Sequence, residues 1–219
     1  MVEELRSRTS PELEFWDRRY SEPAYAYGTE PNGFLVEVAD RIPPGPVLCL
    51  AEGEGRNAVW LAERGHAVTA IDASAAGLAK AQTLANSRSV RIETIAADLA
   101  SFTIEPGTWS GIVAIFAHLP PPLRCSVHRA AAQGLIPGGV FVIEAFTPRQ
   151  LALGTGGPQK PELLYTLDLL RQDLTGLDIE IGREVERDVV EGRYHTGRAA
   201  VVQMLARCAP TAGAIIPIV

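Results

Sequence analysis

Residues 48–57 read LCLAEGEGRN, where an apolar run ends in two glycines and leads into the helix pattern GRNAVWLAERG (55–65). Short apolar runs bounded by glycine are typical of buried strands, and the spacing that follows favours a helix. Gly53 and Gly55 have no side chain, so a ligand can approach their backbone closely. The stretch predicts a strand, a tight turn and a helix that together form a ligand site.

The same alternation of strand and helix continues outward from this stretch. Helix patterns at 74–87 and after residue 119 separate short apolar runs. A final pair of strand patterns, separated by EGRYHTG, reads as antiparallel. This order favours an α/β fold, a doubly wound Rossmann-like sandwich whose mostly parallel sheet carries an antiparallel C-terminal strand. The predicted strands are 46–51, 67–72, 91–99, 109–119, 140–146, a run from 177 and 198–207.

The flanking segments complete the predicted organisation. Ser10 caps a helix PELEFWDRRY, and helix patterns are also seen at 34–42 and 163–174. The Gly/Pro-rich stretch 147–162 is long for a compact domain, which favours a substrate lid. We expect an N-terminal helical cap segment (1–45), one α/β domain (46–209) and a tail (210–219).

Composition narrows the classes of function. The chain has 219 residues, 47% of them hydrophobic, and a net charge of −6, and only two of its twenty basic residues are lysines. A protein that neutralises nucleic-acid phosphates needs a basic face, so nucleic acid is not an expected partner. Three scattered cysteines support neither a disulfide framework nor a metal site. Without a signal-peptide core or a membrane-length apolar run, the expectation is a soluble cytoplasmic protein.

The charges around the glycine loop discriminate between two adenosine ligands. Residues 53–58 match the dinucleotide pattern G-x-G-x-x-A, and Asp72, after the second strand, suits the ribose of either ligand. Glu52 and Glu54 flank the place where a pyrophosphate would sit and would repel it, whereas a cationic ligand would be favoured. The loop therefore favours S-adenosylmethionine, although Arg56 could offset part of the repulsion.

Several motifs in order resemble class I S-adenosylmethionine-dependent methyltransferases, and more narrowly the small bacterial enzymes related to tellurite-resistance and thiopurine methyltransferases. The resemblance covers about residues 13–207. Its motifs are FWDRRY, YGTEPNGFL, the loop into GRNAVWLAERG, Asp72, AADL with Asp98, and AAVVQMLAR.

The resemblance implies S-adenosylmethionine as cofactor and a role for each matching position. Asp72 would hold the ribose hydroxyls. The other implied cofactor residues group by the part of the ligand that they would meet. These are Ala51, Gly53 and Gly55 at the methionine part; Ala73, Ser74, Asp98 and Leu99 around the adenine; Phe116 and Ala117 near the sulfonium; Trp16 and Tyr27 closing over the ligand; and Glu52 and Asn57 in the same glycine loop.

Three residues depart from the family pattern. Cys49 stands where the first strand usually has an acid, Ala51 where the loop usually has its first glycine, and Glu52 where a small residue is common. If these changes abolish cofactor binding, the chain is a non-catalytic ligand-binding module on the methyltransferase fold. An NAD(P)-binding oxidoreductase is a further alternative. Such an enzyme would need a catalytic Tyr/Lys or similar pair, and neither lysine of this chain follows a tyrosine at helical spacing.

The catalytic group depends on the acceptor. The resemblance implies methyl transfer to a small molecule, with a soft thiol or chalcogen compound as acceptor, and a thiolate needs no general base. An oxygen or nitrogen acceptor would need one. The candidates for catalytic groups are His118, Arg56, His195 and Arg198.

Overall fold

The computed structural model describes residues 10–210, which form a seven-stranded sheet in the order β3-β2-β1-β4-β5-β7-β6. The first five strands pair in parallel, β7 runs antiparallel to β5, and β6 pairs antiparallel with β7. The predicted α/β fold with a mostly parallel sheet is confirmed. The strands are β1 (Pro46–Leu50), β2 (Ala67–Asp72), β3 (Glu93–Ala96), β4 (Trp109–Ile115), β5 (Leu135–Phe146), β6 (Leu177–Glu191) and β7 (His195–Cys208).

Helices cover both faces of the sheet. One apolar cluster includes Phe34, Leu61 and Leu84 beneath the helices near the chain start, and the other includes Val127 and Leu170 on the opposite face. Within the described residues, none of the helices has the length and apolar character needed to cross a membrane. The α-helices are α1 (Pro11–Tyr20), α2 (Gly33–Val38), α3 (Arg56–Glu63), α4 (Ala75–Ser87), α5 (Pro121–Gly134) and α6 (Leu167–Asp173).

Helix caps follow the sequence signals. Ser10 accepts a hydrogen bond from the Leu13 N–H at the start of α1, and Ser74 does the same for the Gly77 N–H at the start of α4. Asn32 caps α2 by accepting from the N–H groups of Phe34 and Leu35. Ser74, and not Asp72, is therefore the cap of the helix that follows β2.

Several predicted boundaries are wrong. The helix expected over 34–42 ends at Val38 and continues as a 3₁₀ turn (Ala39–Arg41), and the strand expected over 91–99 shortens to β3. The helix expected over 163–174 begins only at Leu167. Its first residues instead place Tyr165 in the core, where the hydroxyl donates to the Ala117 carbonyl and accepts from the Leu119 N–H. The stretch 147–162 contains two 3₁₀ turns. Most of the predicted tail lies outside the described residues.

Candidate functional site

The glycine loop lies at the carboxyl edge of the sheet, between the end of β1 and the start of α3. Gly53 and Gly55 have φ values of 62° and 88°, in the left-handed region that favours glycine. A Cβ on Gly53 would lie 2.5 Å from the Tyr20 hydroxyl, and one on Gly55 would lie 2.5 Å from the Ala81 Cβ. Backbone conformation and close packing both require glycine at these two positions.

Ala51 also has a left-handed backbone, with φ of 50°. A residue with a Cβ adopts this conformation at a cost of about 1–2 kcal/mol that glycine avoids. The loop therefore keeps the shape that a glycine would take more easily, although the sequence departs from the family pattern here.

Asp72 ties the loop to the end of β2. One carboxylate oxygen accepts the Gly53 N–H at 2.8 Å and the other accepts the Ser74 N–H at 2.8 Å. Burial raises the pKa of Asp72, and the two N–H bonds oppose that rise. Each carboxylate oxygen has a second lone pair, so the group can also accept hydrogen bonds from two ligand hydroxyls.

Glu52 holds the start of α3. Its Oε1 accepts the N–H groups of Asn57 and Ala58, each at 2.9 Å, while no described donor bonds to Oε2. Burial raises the pKa of Glu52 to about 7, against these two N–H bonds and the nearby positive charge of Arg56. The second oxygen remains available to accept a hydrogen bond from a cationic ligand group. Asn57 itself accepts the Asn32 N–H through its side chain, at 2.9 Å.

Two neighbouring charges are held in ion pairs by residues outside the loop. Glu54 pairs with Lys80 and accepts the Ala26 N–H at 2.7 Å, so both of its oxygens are engaged within the protein. Arg56 pairs with Glu191 at 2.6 Å and forms no ion pair with Glu52 or Glu54. With Arg56 held by Glu191, it is not available to neutralise a pyrophosphate.

The N-terminal helix packs directly on the loop. Trp16 stacks on Tyr20 with ring centroids 5.5 Å apart, and Tyr27 lies 6.5 Å from Tyr20. Asp17 hydrogen-bonds the Ser74 hydroxyl. Sequence reasoning missed Tyr20 and Asp17, although their helical spacing with Trp16 in FWDRRY could have indicated a shared face.

The residues expected around the adenine lie on the same edge of the sheet. Ala73 is exposed and directly follows β2, while Ser74 is fully buried. Asp98 lies in the exposed turn after β3 and accepts the Ala100 N–H through its carboxylate at 2.8 Å, with half-buried Leu99 next to it. These positions are at the carboxyl ends of neighbouring parallel strands, where ligands bind in open α/β sheets.

The end of β4 is fixed by unusual backbone geometry. Phe116 has φ of 55°, and its N–H donates to the Glu144 carbonyl at 2.7 Å. The His118 Nδ1 lies 2.6 Å from the Leu163 carbonyl, and its Nε2 accepts the Phe146 N–H at 3.4 Å. Burial lowers the pKa of His118 to about 4. With both ring nitrogens bound to backbone groups, His118 is not free to act on an acceptor.

The two other candidates for catalytic groups lie on the β6–β7 hairpin and are not close together. His195 is 9% exposed and packs against Phe116 and Tyr27, with ring centroids 4.6 and 4.5 Å away. The Arg198 side chain is half exposed and faces Glu186 and Asp188 on the surface, each at 3.6 Å. The structure brings His195 into the site and leaves Arg198 outside it.

The residues at the loop fit S-adenosylmethionine better than a dinucleotide. The site offers Asp72 for hydroxyls and Glu52 for a positive charge, while Arg56, the cation nearest the loop in sequence, is held by Glu191. A ligand without phosphate and with cationic groups matches this donor and acceptor set.

Known proteins support this assignment. Residues 47–139 match the model of a methyltransferase domain. A stretch of 125 residues is 29% identical to 2-heptyl-1-hydroxyquinolin-4(1H)-one methyltransferase of Mycobacteroides abscessus, covering 54% of this chain and 55% of that protein. The chain thus spans about half the length of the curated relative it matches.

Solved structures share the fold over more of the chain. One of them comes from work on the conversion of a disulfide bond into a thioacetal group during echinomycin biosynthesis. It superposes on this chain with a TM-score of 0.75 at 19% identity, and the match covers 92% of this chain and 93% of that one. TehB from Haemophilus influenzae gives a TM-score of 0.67 at 20% identity, covering 90% and 67% of the two chains. Residues 47–139 therefore match a methyltransferase domain, and the chain shares the fold of these solved structures.

Proposed function

We propose that this protein transfers a methyl group from S-adenosylmethionine to a small-molecule acceptor. The observation that carries the proposal is the loop from Ala51 to Gly55, tied to Asp72 and flanked by a Glu52 carboxylate with one free oxygen. In this proposal Asp72 binds the ribose hydroxyls, and Glu52 attracts the cationic amino-acid end of the ligand. The segment before β1 acts as the cap over the site, through Trp16 and Tyr27.

When bound, the cofactor supplies an activated methyl group on a positively charged sulfur. The protein then has to align the acceptor with that methyl group and exclude water. Tyr20, Tyr27 and Phe116 line the edge of the sheet with aromatic surface, which suits both tasks. A soft thiol or chalcogen acceptor, as in the enzymes that the motifs resemble, needs no general base.

A hydroxylated heteroaromatic acceptor is a second candidate. The curated Mycobacteroides relative is named for a 1-hydroxyquinolin-4-one, and its aligned segment covers over half of this chain. Ring-rich surroundings near Phe116 favour a planar acceptor of that kind. Both acceptor classes are small molecules, and both leave the cofactor role of the loop unchanged.

Isothermal titration calorimetry tests the cofactor. We expect S-adenosylmethionine and S-adenosylhomocysteine to bind with dissociation constants in the micromolar range, and NAD not to bind measurably. Affinity for the sulfur ligands weaker than about 100 μM, roughly −5.5 kcal/mol, would contradict the proposal and favour the non-catalytic module. Tight binding of NAD alone would favour the oxidoreductase.

Cofactor affinity should depend on pH through Glu52. Its pKa is raised to about 7 in the free protein, so the carboxyl is mostly neutral at pH 6 and mostly ionised at pH 7.5. Only the ionised form attracts a cation, so affinity for S-adenosylmethionine should rise with pH, by up to about eightfold over this range. Calorimetry at the two pH values measures the change.

Two substitutions separate Glu52 from other titrating groups. Glu52→Gln should remove the rise in affinity between pH 6 and 7.5. Glu54→Gln is the matched control, because the Glu54 carboxylate is turned toward Lys80, and the rise should persist in that variant. An unchanged pH profile in Glu52→Gln would show that Glu52 does not face the ligand.

A further inference from the structure

The β6–β7 hairpin brings one buried, unsatisfied nitrogen to the edge of the sheet that carries the glycine loop. Of the two ring nitrogens of His195, Nδ1 is fully buried and has no hydrogen-bond partner. The residue as a whole is 9% exposed. A buried polar atom without a partner costs about 1–3 kcal/mol, so such atoms in native proteins call for an explanation, and an incoming ligand group is one.

The surroundings of His195 are aromatic. Its ring lies 4.5 Å from Tyr27, 4.6 Å from Phe116 and 5.3 Å from Phe146, measured between centroids. Phe116 follows β4 and Phe146 ends β5, while His195 begins the antiparallel strand β7. All three therefore lie at the carboxyl edge of the parallel strands. Tyr27 extends this cluster toward Tyr20, which touches the glycine loop.

The hairpin is positioned tightly on the N-terminal segment. Gly28 and Gly192 both have φ of 72°, and a Cβ on Gly192 would lie 2.4 Å from the Gly28 nitrogen. Arg56 holds Glu191 on the other side of the turn. The backbone contact and the ion pair fix His195 between the cofactor loop and the aromatic residues.

The segments around this cluster are connections and not core strands. Tyr27 lies in the connection between α1 and α2, and Tyr194 lies in the turn between β6 and β7. In the stretch 147–162, a Cβ on Gly156 would lie 2.7 Å from the Tyr194 carbonyl, and one on Gly157 would lie 2.6 Å from the Phe146 ring. Connections, and not strands, therefore cover the aromatic cluster on the side away from the sheet.

We propose that His195, Tyr27 and Phe116 form the acceptor subsite, which takes a planar aromatic molecule whose acidic hydroxyl or thiol donates a hydrogen bond to the His195 Nδ1. This inference rests on the proposed methyl transfer. On transfer, the acceptor oxygen or sulfur bonds to the methyl carbon, the carbon–sulfur bond of the donor breaks, and its electron pair stays on the donor sulfur. The acceptor proton, which becomes strongly acidic as the new bond forms, passes to Nδ1, and the imidazole releases its other proton, on Nε2, to solvent.

The same environment restricts the class of acceptor. Burial lowers the pKa of His195 to about 3, assisted by the positive charge of Arg56. The imidazole is therefore neutral and accepts hydrogen bonds, but it is too weak a base to deprotonate an aliphatic alcohol. The acceptor has to contribute acidity of its own, which aryl hydroxyls and aryl thiols do.

Binding of naphthalene probes tests the subsite separately from turnover. In the presence of S-adenosylhomocysteine, wild-type protein should bind 1-naphthol and naphthalene-1-thiol more tightly than 1-methoxynaphthalene, which has no proton to donate. His195→Phe keeps the ring and removes the nitrogen. It should lower the affinity for 1-naphthol about five- to tenfold and leave that for 1-methoxynaphthalene unchanged.

A conservative variant and a control complete the test. His195→Asn places an amide oxygen near the position of Nδ1 and should restore part of the naphthol affinity. Val190→Ser, on the exposed face of the same hairpin, should behave as wild type. Equal naphthol binding by His195→Phe and wild type would overturn the role of Nδ1. If S-adenosylhomocysteine binds but no naphthalene does, the aromatic subsite is wrong while the proposed function stands. If S-adenosylhomocysteine itself fails to bind, the proposed function falls as well.

Discussion

Replacing Asp72 by alanine is expected to lower the affinity for S-adenosylmethionine by at least about 100-fold, which is about 2.7 kcal/mol. Two effects add. The variant loses an ionised acceptor for two ligand hydroxyls, and hydrogen bonds to charged groups are worth about 1.5–3 kcal/mol each. It also loses the bonds that hold the Gly53 and Ser74 N–H groups, so the loop is less well ordered before the ligand arrives.

Calorimetric titration of wild type and variant with S-adenosylmethionine measures this loss. Asp98→Ala is the matched control, because Asp98 also follows a parallel strand but is exposed and bonds only the Ala100 N–H through its carboxylate. We expect Asp98→Ala to lose no more than about tenfold, or about 1.4 kcal/mol. Retention of wild-type affinity by Asp72→Ala would place the ribose elsewhere and remove the main support for the cofactor site.

Asp72→Asn distinguishes the charge from the shape. The amide keeps one oxygen, but its NH₂ group must face either the Gly53 or the Ser74 N–H, and two donors cannot bond each other. We therefore expect asparagine to restore little of the lost affinity. Circular dichroism and thermal unfolding would show that each variant is folded under the titration conditions.

Local patterns were sufficient for most of the fold. Strands β1, β2 and β4 are buried on both faces, so their near-continuous apolar runs could be recognised without any partner. The helix expected from residue 163 was wrong at its start for a reason that no local pattern carries. Tyr165 has bonding partners at Ala117 and Leu119, more than forty residues earlier in the chain.

The residues of the candidate site are likewise of two kinds, those that a local sequence pattern indicates and those that depend on distant partners. Gly53, Gly55 and Asp72 could be chosen from the sequence because a tight turn and the end of a strand each leave a local signature. The partner of Arg56 could not, because Glu191 lies 135 residues away and reaches it only once the β6–β7 hairpin is placed. His195 is one of four candidates in the sequence, and only the packing of distant elements around it leaves its Nδ1 buried without a partner.

The hairpin depends on a buried ionic network, which leads to the largest expected effect on stability. Glu144, fully buried in β5, accepts hydrogen bonds from Arg187, Asn32 and Gln203. Arg187 also bonds Glu191, at 2.8 Å. Arg187→Met should lower the free energy of unfolding by about 3–5 kcal/mol, because it leaves a buried carboxylate without its cation. Urea unfolding followed by circular dichroism, with an unchanged m-value, measures the loss.

A second substitution tests whether the uncompensated charge is the cause. Adding Glu144→Gln to Arg187→Met removes the charge while keeping similar volume, and should recover a large part of the lost stability. Arg171→Met, which breaks only the exposed pair with Asp168, should cost less than about 1 kcal/mol. If Arg187→Met costs as little, or if the double variant recovers nothing, Glu144 does not need a cation. If the expected losses are found, Arg187 supports the site as well as the core. Arg187 pairs with Glu191, and Glu191 also pairs with Arg56 beside the cofactor loop. Glu191 directly precedes the turn that leads to His195.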